Sequence, residues 1–176
     1  MAFLAMMLIS CENNIKKVQS LVMDDTTSAI VADDITFIRS DSGVVLLQLI
    51  APKMLRQEGD SGVLEFPSGF EVDLFNNDRS LKAHMRADYG ISMENNTVIH
   101  AEGNVEIENF AEQRKMNSDK LFWYQDEKMV YTRSAVKITM PDKVVLGDSL
   151  TAADDFSTYI IHHVIATIAV DDDDLD

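Results

Sequence analysis

The sequence predicts an all-β, antiparallel domain: a barrel, a sandwich or a jelly roll. Three observations point there. A pattern returns with its inside and outside faces preserved. Met85, Ala87-Asp88 and Ala101-Glu102-Gly103-Asn104-Val105-Glu106-Ile107 recur as Met116, Ser118-Asp119 and Thr132-Arg133-Ser134-Ala135-Val136-Lys137-Ile138. Ile99, Val105 and Ile107 thereby map onto Val130, Val136 and Ile138. A repeat with strand periodicity describes stacked hairpins sharing one apolar face. The middle of the chain alternates apolar and polar residues over long runs, the mark of a sheet with one dry and one wet face. Helix signals are scarce, and Asn, Asp, Ser and Gly clusters punctuate the runs.

The bulk numbers bound the rest. A chain of 176 residues supports one domain with little left for tails. Its hydrophobic fraction of 46% is ordinary for a globular protein. A net charge of -15 argues against nucleic acid as a partner, because phosphate backbones need Lys and Arg.

Residues 1–10 read as a lipoprotein signal peptide. Ala2 to Ile9 is a continuous apolar run, too short to span a bilayer, which takes about 20 residues. It suits the apolar core of a secretion signal, although no Lys or Arg precedes it. Leu8-Ile9-Ser10-Cys11 resembles the lipobox of bacterial lipoproteins, in which the cysteine is acylated and becomes the new N-terminus. Cys11 is the chain's only cysteine, and a lipid thioether there removes a free thiol. Residues 11–29 then form a lipid-anchored tether, polar with scattered apolar positions.

The domain proper is expected over 30–170. Asp34 to Ser40 alternates around Ile35, Phe37 and Arg39, and Asp41-Ser42-Gly43 turns the chain. Val44 to Gln57 is a long strand with Leu47, Leu49 and Ala51 of one parity; Pro52 within it implies an edge position or a bulge. Phe70, Val72 and Leu74 face one way, Glu71 and Asp73 the other. Asn76-Asn77-Asp78-Arg79 makes a hairpin loop. Leu81, Ala83, Met85 and Ala87 form the next inner face, and Asn95-Asn96 turns again. Ile99, Ala101, Gly103, Val105 and Ile107 alternate with His100, Glu102, Asn104, Glu106 and Glu108 in the clearest strand. Leu121 to Tyr124, Met129 to Thr139, Lys143 to Leu150 and Tyr159 to Ile168 complete the set. The acidic end, 171–176, reads as a solvated, disordered tail. Small inner residues (Ala83, Ala87, Ala101, Gly103, Thr132, Ser134) leave room for a ligand, or simply suit strand packing.

Residues that could carry chemistry do not assemble. His162 and His163 are adjacent on an expected strand, so their side chains diverge, and no third ligand lies at useful spacing for a metal. Asp88 and Asp119 sit at equivalent repeat positions near strand ends, where Asp serves turns and caps; acid catalysis would need them converging on a cleft. Trp123 and Tyr124 point to opposite faces. There is no nucleophile-elbow serine motif and no phosphate-binding glycine loop. No enzyme and no cofactor are expected.

Three segments in order carry a family resemblance: "ADY…AEGNVEI", "SDKLFW…VYT" and "GDSLTAADDFSTY". Over roughly residues 30 to 168 the chain resembles the LptC family, the periplasmic component of the lipopolysaccharide export machine, in a lipoprotein-anchored form. The resemblance implies two antiparallel sheets in an open, twisted jelly roll (OstA/LptA-like). It implies a groove that takes the acyl chains of lipopolysaccharide. It also implies two docking ends, one toward the inner-membrane Lpt ABC transporter and one toward an LptA-like bridge protein reached by edge-strand pairing. The location implied is periplasmic, held by the N-terminal lipid at the inner membrane. Many members carry an N-terminal transmembrane helix; none is visible here, so contacts made through it are not carried over. Parity within each strand assigns Phe70, Val72, Leu74, Met85, Ile99, Val105, Ile107, Val136, Ile138 and Val164 to the groove lining. Gly147 matches a glycine of the family's late turn, where it serves backbone geometry. Two other readings stay open: an adaptor lipoprotein with a solid interior, and a closed barrel carrying another small lipid.

Overall fold

The structure, a computed structural model, describes residues 29–57, 62–93 and 97–169. The signal peptide, Cys11, the tether up to residue 28, Asn95-Asn96 and the acidic tail lie outside these residues. All regular structure is antiparallel β: β1 (Ala29–Asp41), β2 (Val44–Gln57), β3 (Leu64–Phe66), β4 (Phe70–Phe75), β5 (Leu81–Ala87), β6 (Tyr89–Met93), β7 (Val98–Asn109), β8 (Arg114–Tyr124), β9 (Met129–Thr132), β10 (Val136–Thr139), β11 (Lys143–Gly147), β12 (Leu150–Ala153), β13 (Tyr159–Ile161) and β14 (Val164–Ala169).

Chain order simplifies this list. β3 and β4 are two halves of one ribbon, as are β5 and β6, β9 and β10, β11 and β12, and β13 and β14. Each ribbon pairs with the next in sequence: β2 with β4 and β3, these with β5 and β6, these with β7, then β8, and so on to β13 and β14. The protein is therefore a single up-and-down meander. It makes a jelly roll of two layers because every ribbon bends where it crosses one transverse line. One leaf holds β3, β6, residues 98–102 of β7, residues 120–124 of β8, β9, β12 and β13. The other holds β4, β5, residues 105–109 of β7, residues 114–118 of β8, β10, β11 and β14, with the Val44–Ile50 half of β2.

The crease has a register rule. Inward positions on β8 run Met116, Ser118, then Leu121, Trp123; on β7 they run Ile99, Ala101, then Val105, Ile107. The ribbon β7 spends one residue more at the crease than its neighbour, so Gly103 and Asn104 together oppose Asp119. The same alternation holds from β2 to the β11–β12 ribbon. The β2, β5–β6 and β11–β12 ribbons step as β8 does (Ala51 to Met54, Ala87 to Gly90, Gly147 to Leu150). The β3–β4 and β9–β10 ribbons step as β7 does (Phe66 to Phe70, Thr132 to Val136). An extra residue on one member of a strand pair is a β-bulge, which bends the sheet and sharpens its twist. Aligned across the sheet, these bulges fold it in two.

Backbone groups released at the crease find partners close by, as buried amides must. Asp88 N donates to Gly103 O at 3.0 Å, and Asn104 Nδ2 donates to Asp88 Oδ2 at 2.6 Å. Thr132 Oγ1 donates to Lys120 O at 2.6 Å and accepts from Ser134 N at 3.0 Å. Ser118 Oγ lies 3.0 Å from Ala135 O. Asp148 N donates to His163 O, and His162 N to Ser149 O, both at 3.1 Å. His162 and His163 thus sit in the break between β13 and β14, not on a strand; each is exposed, engaged by Thr151 and Asp148 respectively.

The expected strands correspond to this set, with corrections that the crease explains. Met129–Thr139, Lys143–Leu150 and Tyr159–Ile168 are each interrupted. Leu121–Tyr124 is the end of a strand that starts at Arg114. β3 and β6 were not anticipated. Pro52 lies on the strand next to the edge, opposite Asp34, whose φ is 51°.

The inward faces pack together: Val105, Ile107, Met116 and Ile138 of one leaf meet Ala101, Leu121, Val130 and Leu150 of the other, all fully buried. Glycines mark close approaches of the ribbons. A Cβ on Gly147 would lie 2.3 Å from Ile161 Cγ2. Gly69, at the crease between β3 and β4, has φ +82° and would place a Cβ 2.5 Å from the backbone O of Ala87. Gly69→Ala combines a strained backbone with a clash that no side-chain rotation relieves, so it should cost about 3 kcal/mol. Urea denaturation monitored by circular dichroism measures this; a midpoint equal to that of the parent would show that the crease tolerates a side chain there.

Candidate functional site

The two leaves are not sealed equally along the rim opposite the crease. On one side the turn between β12 and β13 closes it. Phe156 has no exposed surface and inserts between the leaves, with its backbone held at φ 54°. From the facing leaf, Asn109 Nδ2 donates to Asp155 O at 2.7 Å and Lys82 Nζ meets Asp155 Oδ2 at 2.6 Å. Tyr159 stacks on Phe156, and the Arg114 guanidinium lies 5.4 Å from the Tyr159 ring centre. The two carboxyls of this turn are tuned in opposite directions. Burial pushes Asp154 above the ordinary carboxylate range, Asp155 adds to this, and the neighbouring Trp123 and Lys128 offset only part of it. Burial also works against the charged form of Asp155, but Lys82 and Ser157 outweigh it and hold that carboxyl low.

On the β1 side the rim is open. A cavity of about 210 Å³ lies between the leaves, lined by Phe37, Arg39, Leu47, Leu49, Leu64, Phe66, Ile99 and Trp123, with Ser92 and Gln125 among its few polar groups. The pairing of β1 with β2 builds one wall. Phe37 faces Leu49 and Arg39 faces Leu47, so both belong to the inner side. Phe66 and Leu64 come from β3, Ile99 from β7 and Trp123 from β8. The indole Nε1 of Trp123 is buried and faces the Asp154 carboxyl of the rim turn. Ser92 Oγ accepts the Leu64 amide at 2.7 Å, which ties β6 to the start of β3.

The ten residues assigned to the lining fall in three groups. Phe70, Val72, Met85, Ile99, Val105, Ile107, Val136 and Ile138 all lie in the buried core between the leaves, and Leu74 packs against it half-buried. Of these, Ile99 also borders the open cavity. Val164 is 51% exposed on β14 and joins none of them. The cavity's other walls were not assigned from sequence, although Ile35, Phe37 and Arg39 shared a parity that the matching run Leu47, Leu49, Ala51 could have extended across the hairpin.

The outer surface divides the same way. The leaf carrying β5, β10 and the second half of β7 shows a charged ladder: Arg86 and Lys115 reach Glu106 at 3.4 and 3.2 Å, and Lys115 reaches Glu108 at 3.1 Å. Burial disfavours the Glu106 carboxylate, but Asn117 and Lys115 prevail and hold it low. A second hollow, about 530 Å³, follows the crease between Arg86, Asp88, Asn104, Asp119 and Lys137; Val105, Val136 and Gly147 reach its floor. Asp88 and Asp119 border it as crease residues. Among the described residues no group of three or more His, Cys, Asp or Glu is placed to hold a metal, and no helix is long and apolar enough to cross a membrane.

Among the described residues two ribbons have a single strand partner. β1 presents Ile30, Val31, Phe37 and Ile38, and the β13–β14 ribbon presents Ile160, Val164, Ile165 and Ile168, all large apolar side chains with substantial exposure.

A family model described as lipopolysaccharide-assembly, LptC-related, matches residues 1–159. A search of curated proteins found no match. The matched span takes in nearly every ribbon of the meander, from β1 to the start of β13. The chain belongs to the LptC family, and with it to the periplasmic, inner-membrane-associated side of lipopolysaccharide transport and envelope biogenesis.

Proposed function

We propose that this protein is a lipoprotein, anchored through Cys11 at the inner membrane, that accepts lipopolysaccharide from the Lpt ABC transporter and hands it to an LptA-like bridge. Its work is shelter. Exposing a tail of a dozen carbons to water costs roughly 10 kcal/mol, at about 0.8 kcal/mol per methylene. A carrier keeps that tail covered without chemistry of its own, and its partner supplies the energy. The observation that carries the reading is the apolar opening between the leaves beside β1, continuous with inward faces that are apolar on both leaves. The cavity present holds only part of a chain, so deeper tails require the leaves to part along the rim, bringing Phe70, Val72, Leu74, Met85, Val105, Ile107, Val136 and Ile138 into contact with lipid. The exposed apolar edges at β1 and at β13–β14 suit strand addition by a neighbour on each side, and Val164 would serve there.

One observation favours the competing reading, an adaptor with no lipid: the centre of the interior is filled by its own side chains, Ile107, Met116, Leu121 and Ile138 being fully buried. The two readings differ in what touches lipid. A photoreactive residue at Phe37, Leu49 or Val105 should yield lipopolysaccharide adducts in cells, and one at the outward Glu106 should not. Adducts at Glu106 as strong as at Val105, or none at any inward site, would overturn the carrier. Moderate salt should leave the inward adducts intact, since apolar burial is not screened.

The rim turn predicts a pH signature. Because Asp154 binds its proton more tightly folded than unfolded, it detracts from stability above its ordinary pKa; Asp155, held low, adds stability that is lost as pH falls through its folded value. Asp154→Asn should therefore raise the melting temperature at pH 7, with the gain vanishing in acid, whereas Asp155→Asn should lower it at pH 7. Scanning calorimetry from pH 3 to pH 8 reads both, and a gain for Asp154→Asn that persists at pH 3 would exclude the burial account. Separately, Cys11→Ser should move the protein from the membrane fraction to the soluble periplasm and remove the acyl mass from its N-terminal peptide. Retention on the membrane would refute the lipid anchor.

A further inference from the structure

We infer that Arg39 is the head-group contact of the cavity beside β1, and that the site takes a lipid bearing a phosphate. The inference rests on the carrier reading and adds which part of the ligand is recognised. Arg39 occupies an inward position: it lies opposite Leu47 and two residues from Phe37, which lies opposite Leu49. Every other inward position on this wall is apolar, so an arginine there breaks the pattern of the sheet. Of the residues lining the cavity, Arg39 alone is charged. Among the described residues it makes no ion pair or side-chain hydrogen bond, so its guanidinium is available to a ligand.

Its chemistry specifies the ligand. A guanidinium offers a planar fork of donors that matches phosphate oxygens in pairs. Beside Phe37, Leu47 and Trp123, water is partly displaced, and a charge-assisted bond gains strength relative to bulk solvent. Arg39 remains exposed at the open end of the cavity, so a head group reaches it while the tail lies inward along Leu49, Phe66 and Ile99. A tail without a head group leaves the guanidinium hydrated and gains nothing from it.

The only tryptophan of the chain, Trp123, lines the same cavity and reports its occupancy. Phosphatidic acid and diacylglycerol with identical brominated chains, each in nonionic mixed micelles, are titrated against Trp123 fluorescence. Both should quench it, phosphatidic acid at roughly tenfold lower lipid, the size of one charge-assisted contact. Arg39→Gln should bring the phosphatidic acid curve onto that of diacylglycerol and leave the latter in place, and Arg39→Lys should keep part of the separation. Coincident curves in the parent protein, or a separation that survives Arg39→Gln, would overturn the head-group role while leaving the cavity's use for tails intact. A brominated fatty acid that quenches as well as phosphatidic acid, with the same dependence on Arg39, would reassign the site to carboxylates. Absence of quenching by every lipid would remove the carrier reading itself.

Discussion

An antiparallel sheet can close on itself only if all its ribbons bend at the same height, and here an additional residue on alternate ribbons produces the bend. The arrangement is cooperative by geometry. If β7 lost its added residue, the inward set of one leaf would turn outward, because a slip of one residue exchanges the faces of a strand. Met85, Ile107 and Val136 are buried on one side of the crease only because Gly90, Ile99 and Val130 are buried on the other. The polar stitching by Ser118, Thr132, Asp88 and Asn104 keeps the bend from exposing unpaired amides.

A folded meander has consequences that a closed barrel lacks. Among the described residues it keeps two free edges, β1 and β13–β14, and a rim whose two sides can differ. On this rim Phe156 and the Lys82–Asp155 pair bind leaf to leaf, while the β1 side opens on a cavity. Among the described residues β1 and the β13–β14 ribbon do not pair with each other, so the sheet is not closed into a barrel.

The fold class was legible because burial in a sheet follows a period of two, and the repeat was legible because both copies contain the same crease. Met85 through Ile107 and Met116 through Ile138 are successive pairs of ribbons, and Asp88 and Asp119 recur because each stands at the bend. The bend itself was not legible. On β7 the added residue preserves the odd parity from Ile99 to Ile107, so the strand reads as straight through Gly103. On β8 parity changes between Ser118 and Leu121, so the alternation appears to begin afresh at Leu121, and Met116 and Ser118 show in the repeat without being joined to that strand. β6 was lost for the same reason after Ala87. The open cavity escaped because its walls come from six ribbons whose faces parity cannot relate to one another. What could be read was which residues share a face within a ribbon, and that placed eight of the ten assigned residues in the core between the leaves.

Net charge raises the remaining question, since lipopolysaccharide is anionic and so is this protein. The distribution resolves it without added cations. On the charged leaf, acids and bases alternate in ladders such as Arg86, Glu106, Lys115 and Glu108, so that surface is nearly balanced locally. Fields from charges beyond about 8 Å are screened at physiological salt. A phosphate at the opening therefore responds chiefly to what stands beside it, and at the cavity that is Arg39 with apolar neighbours. Position adds a second consequence. β1 is the first ribbon after the tether, so with the proposed anchor at Cys11 the opening lies on the ribbon nearest in sequence to the membrane. A lipid leaving the inner membrane would meet the cavity first and the sealed, Phe156 side of the rim last.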